Sequence, residues 1–398
     1  MMRLNDLRVV SALAVASLLA WGGFTANAWE PGQDSQGQQD GQGQDDWEGK
    51  RPGTVFVIAM ENHNWTQPAG TSPQQIFMNP AAPFINSLVN GTSGISDQVS
   101  YATRYLAAMQ GLHPSEPNYV WAEAGQAFGT LGTDDDPYHS DCTPDTVITS
   151  DQHLTAFLKR THKSWRSYQE DANINVITNA PLPMNSWKAP LFSQSGLFTS
   201  GINAYNYSRQ YNYAAKHNPQ IFFRDTNGGC PATASTYYPP LQQLALDLQH
   251  NTVADYNWIT PDQFNDQHSK LTAGYGVFVP ASDQSSIAQG DNFLARVVPL
   301  IMASDAYQNG GVIVLWWDET EGGDTADFTI PFIIISKLAH KNVKGLPYAS
   351  NVEYSHSSFL RTMQLILDVD PSEGFPYLGA AASANDLSAL FKPGTIKQ

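Results

Sequence analysis

Cysteine is nearly absent from this chain of 398 residues, which contains only Cys142 and Cys230. The two lie too far apart in sequence to form a zinc-binding signature. Each stands close to a proline in a loop-like setting. In an exported protein we expect one disulfide between them, and such a bond usually contributes about 2–4 kcal/mol of stability. Spacing alone leaves the pairing open.

Positive charge is also scarce, because 21 lysines and arginines stand against 37 aspartates and glutamates, for a formal net charge of -16. An acidic surface of this kind repels nucleic-acid backbones and anionic lipid, so neither is an expected partner. A small phosphate ester can still bind where a local cation neutralises it. Most of the acidity otherwise serves solubility.

Long apolar runs are missing except near the N-terminus, where Val9–Trp21 follows Arg3 and Arg8. The small residues that end at Ala28 complete the pattern of a signal peptide over residues 1–28, which predicts a secreted protein, periplasmic or extracellular. A membrane anchor is the alternative, but the run is shorter than the roughly 20 residues that span a bilayer, and polar residues follow it. We therefore expect no stable membrane insertion.

Apolar residues are also rare from residue 29 to residue 50, where Gly, Gln, Asp, Ser and Glu dominate. This composition predicts a disordered linker, since it cannot bury enough surface to offset its ordering entropy. No second low-complexity break follows. The sequence therefore predicts one large domain over residues 51–398.

Four short runs rich in β-branched and aromatic residues predict strands, at residues 54–60, 253–260, 311–317 and 330–336. Near-continuous apolar runs suit strands that are covered on both faces. Helical periodicity occurs after two of these runs, at Phe293, Val297, Leu300 and Ile301 and at Phe359, Leu360, Met363 and Leu367. The alternation predicts an α/β fold, a doubly wound and mostly parallel sheet with helices on both faces.

Polar pairs follow the first and third predicted strands, Glu61 with Asn62 and Asp318 with Glu319. Ligands of such sheets bind at the carboxyl ends of the strands, so these four side chains are expected to converge although they are distant in sequence. Either pair alone also fits the solvated start of a loop.

Ser115 stands where an apolar helical pattern begins, with Pro117 in the first turn. We interpret it as a helix N-cap, with its hydroxyl beside free backbone N–H groups that favour a phosphoryl oxygen. An ordinary capping serine is the alternative. No G-x-S-x-G pentapeptide occurs in the chain, which disfavours lipase or esterase chemistry.

The motifs of the chain resemble a family of phosphoesterases. Residues 113–119, His-Pro-Ser-Glu-Pro-Asn-Tyr, are similar to the H-P-S-x-P-N-Y motif of secreted acid phosphatases and bacterial phospholipases C, which belong to the alkaline-phosphatase superfamily. Five further motifs follow the family order, at residues 60–63, 216–219, 259–268, 317–323 and 354–362. The resemblance thus covers nearly all of the chain from Val55 to Thr362.

The resemblance implies a site with one divalent metal ion of unknown identity. Its ligands would be Glu61, Asn62, Ser115, Asp318 and Glu319, with Ser115 also the nucleophile. Hard oxygen donors suit such a cation, which lowers the pKa of a bound hydroxyl and screens phosphate charge.

The resemblance also implies the groups that would bind the substrate, Asn62, Asn118, His217 and His356. Of these, His217 and His356 would be catalytic, since an acid phosphatase needs protonatable groups for the substrate anion and the leaving alkoxide. Asp262, Asp266 and His268 could form a second metal site or a hydrogen-bonded shell. One metal is favoured over two.

The expected activity is hydrolysis of phosphate monoesters through a phosphoseryl intermediate. A phospholipase C or another phosphodiesterase is the enzymatic alternative, although those relatives usually carry added C-terminal modules. A secreted binding protein without turnover is an alternative of another class. A sulfatase of this superfamily needs a Cys or Ser followed by x-Pro-x-Arg. That activity is disfavoured, because Ser115-Glu116-Pro117 is followed here by Asn118 and the arginine of the motif is missing. The sequence leaves the leaving group, pH optimum and oligomeric state open.

Overall fold

The computed structural model describes residues 50–66, 75–109, 112–139, 143–172, 174–175, 180–181, 213–227, 237–321, 329–342 and 344–397. The predicted signal peptide, the linker up to residue 49, and Cys142 and Cys230 lie outside these residues. The disulfide and the domain boundaries therefore stay predictions. Within the described part of the chain, no helix is both long and apolar enough to cross a membrane.

Seven strands form the main sheet in the order β3-β6-β1-β7-β8-β2-β9. Two short strands, β4 and β5, pair separately. The strands are β1 Val55–Met60, β2 Val99–Leu106, β3 Trp165–Gln169, β4 Ile174–Asn175, β5 Ala180–Pro181, β6 Tyr256–Thr260, β7 Val312–Trp317, β8 Phe332–Ile335 and β9 Tyr348–Ser355. Neighbouring strands are parallel except at β8, which is antiparallel to both β7 and β2. The predicted mostly parallel α/β sheet is confirmed.

Seven α-helices accompany these strands in the described residues. They are α1 Pro83–Asn90, α2 Ser115–Ala124, α3 Leu154–Arg160, α4 Gln242–Gln249, α5 Asp283–Met302, α6 Asp305–Gln308 and α7 His356–Ile366. Short 3-10 helices at Ala215–His217 and Pro219–Phe222 lie between β5 and α4. Helix α2 ends at Gly125, where the left-handed backbone (φ 69°) and the nearby Leu378 carbonyl leave no room for a Cβ atom.

Two consecutive tryptophans of β7 show how the helices cover both faces of the sheet. Trp316 packs edge-on against Tyr119 of α2, with ring centroids 5.2 Å apart. Trp317 points to the other face, where its Nε1 donates to Gln267 (2.9 Å). Gln267 in turn donates to the Ile287 carbonyl of α5 (3.1 Å). Successive side chains of a strand alternate between faces, so both faces of this strand are covered by helices and buried.

The register of β1 and β7 determines where the polar pairs lie. Met60 is paired with Trp317 in this parallel ladder. The residues that follow, Glu61 and Asp318, therefore leave the sheet side by side at its carboxyl edge. The predicted convergence of the two polar pairs follows from this register.

Candidate active site

Ser115 is the first residue of α2, and its hydroxyl points into a group of carboxylates. The Oγ atom donates to Glu61 Oε2 (3.1 Å) and lies 3.4 Å from Glu319 Oε1. The predicted N-cap role of Ser115 is wrong, because the cap position is occupied by Pro114, which has extended backbone geometry. The hydroxyl is therefore directed at acidic side chains and not at the helix amides. Only 2% of Ser115 is exposed.

Asn62 links the two polar pairs. Its backbone N–H donates to Asp318 Oδ1 (3.1 Å). One terminal atom of its amide lies 2.8 Å from Glu61 Oε2 and 3.3 Å from Asp318 Oδ1. The backbone of Asn62 is left-handed (φ 43°), a conformation that asparagine tolerates better than most residues. The structure thus brings Glu61, Asn62, Ser115, Asp318 and Glu319 together as the sequence predicts.

The protein alone does not balance the charges of this cluster. Burial, then the charges of Asp318 and Asp266, raise the pKa of Glu61 well above its usual range. Burial and then Asp318 raise the pKa of Glu319 to about 8, and burial also raises the pKa of Asp318. A bound cation would reverse this effect, because it favours the charged carboxylates.

The cluster fits a divalent cation by its chemistry. Every side chain of the cluster can offer an oxygen atom to a metal ion, because the Asn62 amide can turn its oxygen toward the two carboxylates. Asp318 Oδ2 is buried and has no hydrogen-bond partner in the described structure. Buried polar atoms without partners are rare and call for an explanation. An oxygen-binding cation such as magnesium, calcium or manganese would supply one.

His217 lies next to the carboxylate cluster, at the end of a 3-10 helix. Its Nε2 is 3.4 Å from Glu61 Oε1, and its Nδ1 is 3.6 Å from Asp266 Oδ2. The ring stacks on Tyr119, with centroids 5.1 Å apart. Neither ring nitrogen has a hydrogen-bond partner in the described structure. Glu61, His217 and Asp266 can also each offer an atom to a metal ion, all within 4.8 Å of one another.

His356 is placed differently from the expectation that it faces the phosphate. Its Nδ1 accepts a hydrogen bond from Trp316 Nε1 (3.0 Å) and lies 3.1 Å from the Tyr105 hydroxyl. Its Nε2 donates to the main-chain oxygen of Asp318 (2.6 Å). Both ring nitrogens are thus used inside the protein, and the geometry supports a role in positioning Asp318.

Burial opposes a positive charge on both of these histidines. Burial lowers the pKa of His356 to about 3. Burial, with the charge of Lys216 next, lowers the pKa of His217 well below its usual range. Burial thus favours the neutral form of both rings, whereas a bound phosphate dianion would favour the charged form.

The other site residues predicted from the sequence are Asn118, Asp262, Asp266 and His268. Asn118 donates to Glu319 Oε2 (3.2 Å) and to the Leu112 carbonyl (2.9 Å), and so lies at the cluster. Asp266 reaches His217, and its other carboxylate oxygen accepts from the backbone of His268 (2.7 Å).

Asp262 belongs to a different contact network. Its Oδ1 accepts from the backbone N–H groups of Phe264 (3.0 Å) and Asn265 (2.8 Å). Its own N–H donates to Glu170 (2.9 Å). These bonds shape the loop after β6, and the main-chain oxygen of Asp262 also accepts from the N–H of Asp266 (2.9 Å), which joins this loop to the pair of Asp266 and His268.

Three polar residues of the site were not assigned from the sequence. The Tyr119 hydroxyl donates to Glu61 Oε1, and His113 Nδ1 lies 2.7 Å from Glu319 Oε2. Both belong to the H-P-S-x-P-N-Y motif, and that membership was the available signal. Lys216 forms an ion pair with Asp134 and directly precedes His217. No sequence pattern indicated that pairing.

The fold and the site define a class of protein in which a mostly parallel α/β sheet holds a serine hydroxyl among carboxylates at its strand ends. Comparison with protein families gives the particular group. The model of the Phosphoesterase family matches residues 34–370. The chain therefore belongs to the Phosphoesterase family, whose members act on phosphoric esters.

Similar proteins include three curated phosphatases. The phosphate-repressible acid phosphatase of Penicillium chrysogenum is 22% identical over 70% of this chain and 52% of its own length. A probable acid phosphatase of Kluyveromyces lactis is 24% identical over 81% of this chain and 59% of its own length. The phosphatidylinositol-3-phosphatase of Mycobacterium tuberculosis is 24% identical over 85% and 84% of the two chains. The chain thus spans a little over half the length of the first two.

Solved structures with a similar fold include the lipoteichoic acid synthase LtaP of Listeria monocytogenes. It has 10% identity and a TM-score of 0.46, over 85% of this chain and 77% of that one. A protein of the alkaline phosphatase superfamily from Vibrio parahaemolyticus has 11% identity and a TM-score of 0.43, over 80% and 67% of the two chains.

Proposed function

We propose that this chain is a secreted, metal-dependent acid phosphatase that hydrolyses small phosphate monoesters through a phosphoseryl intermediate on Ser115. The observation that carries the proposal is the position of the Ser115 hydroxyl, buried 3.1 Å from Glu61 and 3.4 Å from Glu319 at the carboxyl edge of the sheet. The acid phosphatases among the relatives support the substrate class. Secretion rests on the pattern of residues 1–28.

The residues that would hold one divalent cation are Glu61, Asn62, Ser115, Asp318 and Glu319. When bound, the cation would lower the pKa of the serine hydroxyl and screen the charge of the phosphate. The group of Glu61, His217 and Asp266 shares a carboxylate with this set. We assign His217 to the substrate, so that one cation suffices.

The chemical step forms a bond between Ser115 Oγ and phosphorus and breaks the bond between phosphorus and the leaving oxygen. The serine proton passes to Glu61 Oε2, the acceptor already in contact with it. Neutral His217 carries one ring N–H, which can hydrogen-bond a phosphoryl oxygen or the leaving oxygen. The leaving oxygen takes a proton from water and ends as an alcohol, and Glu61 gives its proton back to the hydroxide that this step leaves. Water then splits the phosphoserine, which returns the serine hydroxyl and releases inorganic phosphate.

Two further groups can contribute to binding of an anion at this site. His113 lies against Glu319 and is 36% exposed, so it can reach solvent and substrate. Lys216 Nζ is held by Asp134 beside His217. A cationic group such as Lys216 favours a phosphate that carries two charges over a diester that carries one.

The test is release of phosphate from p-nitrophenyl phosphate by purified protein, with and without a chelator. We expect turnover that the chelator removes and that an added divalent cation restores. Ser115→Ala should lose at least about 1,000-fold in kcat, because the substitution removes the hydroxyl that forms the intermediate. Ser383→Ala, at an exposed serine, is the matched control and should behave as wild type. Turnover in Ser115→Ala close to that of wild type would refute the proposal.

A further inference from the structure

A second buried ionic cluster lies away from the carboxylates of the candidate active site. The ring of His153 is completely buried between two carboxylates. Its Nδ1 is 3.1 Å from Glu123 Oε1, and its Nε2 is 2.8 Å from Asp225 Oδ1. The ring also stacks on Phe223, with centroids 4.0 Å apart. We call Glu123, His153 and Asp225 the histidine clamp.

The hydrogen bonds of the clamp require a charged ring. Each carboxylate only accepts, so both ring nitrogens must donate, and only the imidazolium has two N–H groups. Thr155 does not change this conclusion, because its hydroxyl, 3.1 Å from Nδ1, donates to Glu123 Oε1. If His153 lost its proton, one nitrogen lone pair would face a carboxylate oxygen in a buried site.

The clamp connects three segments, two of which carry proposed active-site residues. Glu123 lies in the last turn of α2, the helix that begins with Ser115. Its carboxylate accepts from the Thr155 N–H of α3 (2.7 Å) and from Gln220 Nε2 (3.3 Å). Gln220 belongs to the 3-10 helix that follows His217 by two residues. One carboxylate thus ties the serine helix to the segment that positions His217.

We propose that His153 is a proton-controlled positioning residue, which in its charged form fixes Glu123 and thereby holds the Ser115 helix against the His217 segment. The positioning part of this inference rests on the proposed function. His153 touches neither substrate nor the carboxylates around Ser115. It acts on turnover through Glu123 and Gln220.

The surroundings of the clamp favour the charged ring. Although burial opposes charge, the bonds to Asp225 and Glu123 raise the pKa of His153 above its usual range. Lys159 acts on Asp225, and Asp151 on the same loop as His153 is paired with Arg160. The nearby phenols are neutral, because burial raises the pKa values of Tyr238 and Tyr256 well above their usual range.

A histidine whose pKa is raised by folding stabilises the protein below its unfolded pKa, about 6.5, and loses that contribution as pH rises through the folded pKa. The clamp is therefore closed under acidic conditions and weakens in alkali. It gives the enzyme an alkaline limit of activity that does not depend on titration of the site itself.

The decisive variant is Asp225→Asn, because Asp225 is 36% exposed and its loss should leave the fold intact. Asparagine keeps an oxygen that can accept from His153 but removes the negative charge. We expect the alkaline limb of the kcat profile for p-nitrophenyl phosphate to move to lower pH by about one unit, with KM little changed. His153→Gln should lower kcat under acidic conditions and remove that limb. Asp368→Asn, at a surface aspartate of similar exposure (34%), is the control.

Melting temperature between pH 5 and pH 9 gives an independent readout. The deficit of Asp225→Asn relative to wild type should be largest below about pH 6.5 and should narrow in alkali. Superimposed pH profiles of melting temperature would overturn the clamp. A shifted melting profile with an unchanged kcat profile, or a kcat loss equal at every pH, would overturn the positioning role. If wild type itself released no phosphate, the proposed function would fail, while the melting profile would still decide the charge of His153.

Discussion

His356 Nε2 donates a hydrogen bond of 2.6 Å to the main-chain oxygen of Asp318. On the other side of the ring, Trp316 Nε1 donates to Nδ1, and this fixes which nitrogen carries the proton. Asp318 is therefore positioned through its backbone by a neutral, fully buried imidazole. A residue that hydrogen-bonds a proposed metal ligand in this way affects metal affinity without touching the substrate.

The contacts of His356 predict the effect of His356→Gln. Loss of the ring should release the Asp318 backbone and weaken cation binding by about 10- to 100-fold. Turnover at saturating cation should recover most of the wild-type value. Cation binding is measured by calorimetry, and phosphate release is measured over the same range of cation concentrations. Tyr105→Phe, which removes only the hydroxyl 3.1 Å from Nδ1, should show a smaller effect of the same kind.

A contrary result for His356 is equally clear. If His356→Gln bound the cation as wild type does yet lost turnover at every cation concentration, the ring would act on the substrate directly. The positioning role would then be refuted.

Removal of negative oxygen donors should weaken the cation site. Glu61→Gln and Asp318→Asn each take one negative charge from the set around Ser115, so both should lower bound metal measured by elemental analysis. Tyr119→Phe, which keeps the Glu61 carboxyl group but removes its hydrogen bond, should have a milder effect. Glu353→Gln, at an exposed ion pair with Arg104, is the control. Wild-type metal content in both carboxylate variants would rule out this ligand set.

Glu170 predicts a pH dependence of stability that is separate from the active site. Burial and the charge of Asp262 raise the pKa of Glu170 to about 8, from an ordinary value of 4.5. Between these values the folded protein holds a proton that the unfolded chain has lost, so stability falls as pH rises. Each pKa unit corresponds to about 1.4 kcal/mol.

Glu170→Gln should therefore resemble wild type near pH 4.5 and become the more stable of the two as pH rises to 8. The measurement is the free energy of unfolding in urea at several pH values. Since the Gln amide keeps an oxygen that can accept from Asn265, the fold should be retained. A constant difference between the two proteins across this range would show that Glu170 is ionised in the fold.

The sequence predicted the sheet and the convergence of the two polar pairs well, because both follow from local patterns. Runs such as residues 54–60 and 311–317 are buried on both faces, and parallel pairing brings their polar ends to one edge. The direction of β8 could not be read in the same way. An apolar run is equally suited to a parallel or an antiparallel neighbour. The direction of the strand depends on the connecting segment, which the run itself does not specify.

The roles of single histidines were harder to predict, because they depend on partners distant in sequence. His356 precedes a clear helix, but Trp316, 40 positions away, is what fixes its ring. His153 lies in no motif, and its two carboxylates are 30 and 72 positions distant. Protonation is a property of such surroundings, so the sequence pattern alone did not indicate the lowered pKa values of His217 and His356.

The last prediction concerns the choice between monoesters and diesters, and it depends on Lys216. Its ammonium is bound to Asp134, only 15% of the side chain is exposed, and the negative charges of Asp134, Glu61 and Asp318 help to raise its pKa against the effect of burial. A monoester dianion gains more from this cation than a diester monoanion does. Lys216→Met, which keeps the apolar stem, should therefore lower kcat/KM for p-nitrophenyl phosphate by about tenfold or more and for bis-p-nitrophenyl phosphate by less.

Wild type should prefer the monoester at every pH from 4 to 8, with the cation supplied. Lys337→Met, at a lysine that donates to Gln308, controls for loss of net charge. If Lys216→Met lowered kcat/KM equally for both substrates, Lys216 would act by positioning His217, which both substrates need. It would then not act on the second negative charge of the monoester. A preference of wild type for the diester throughout would replace the phosphatase assignment with a phosphodiesterase, even with Ser115 as the nucleophile.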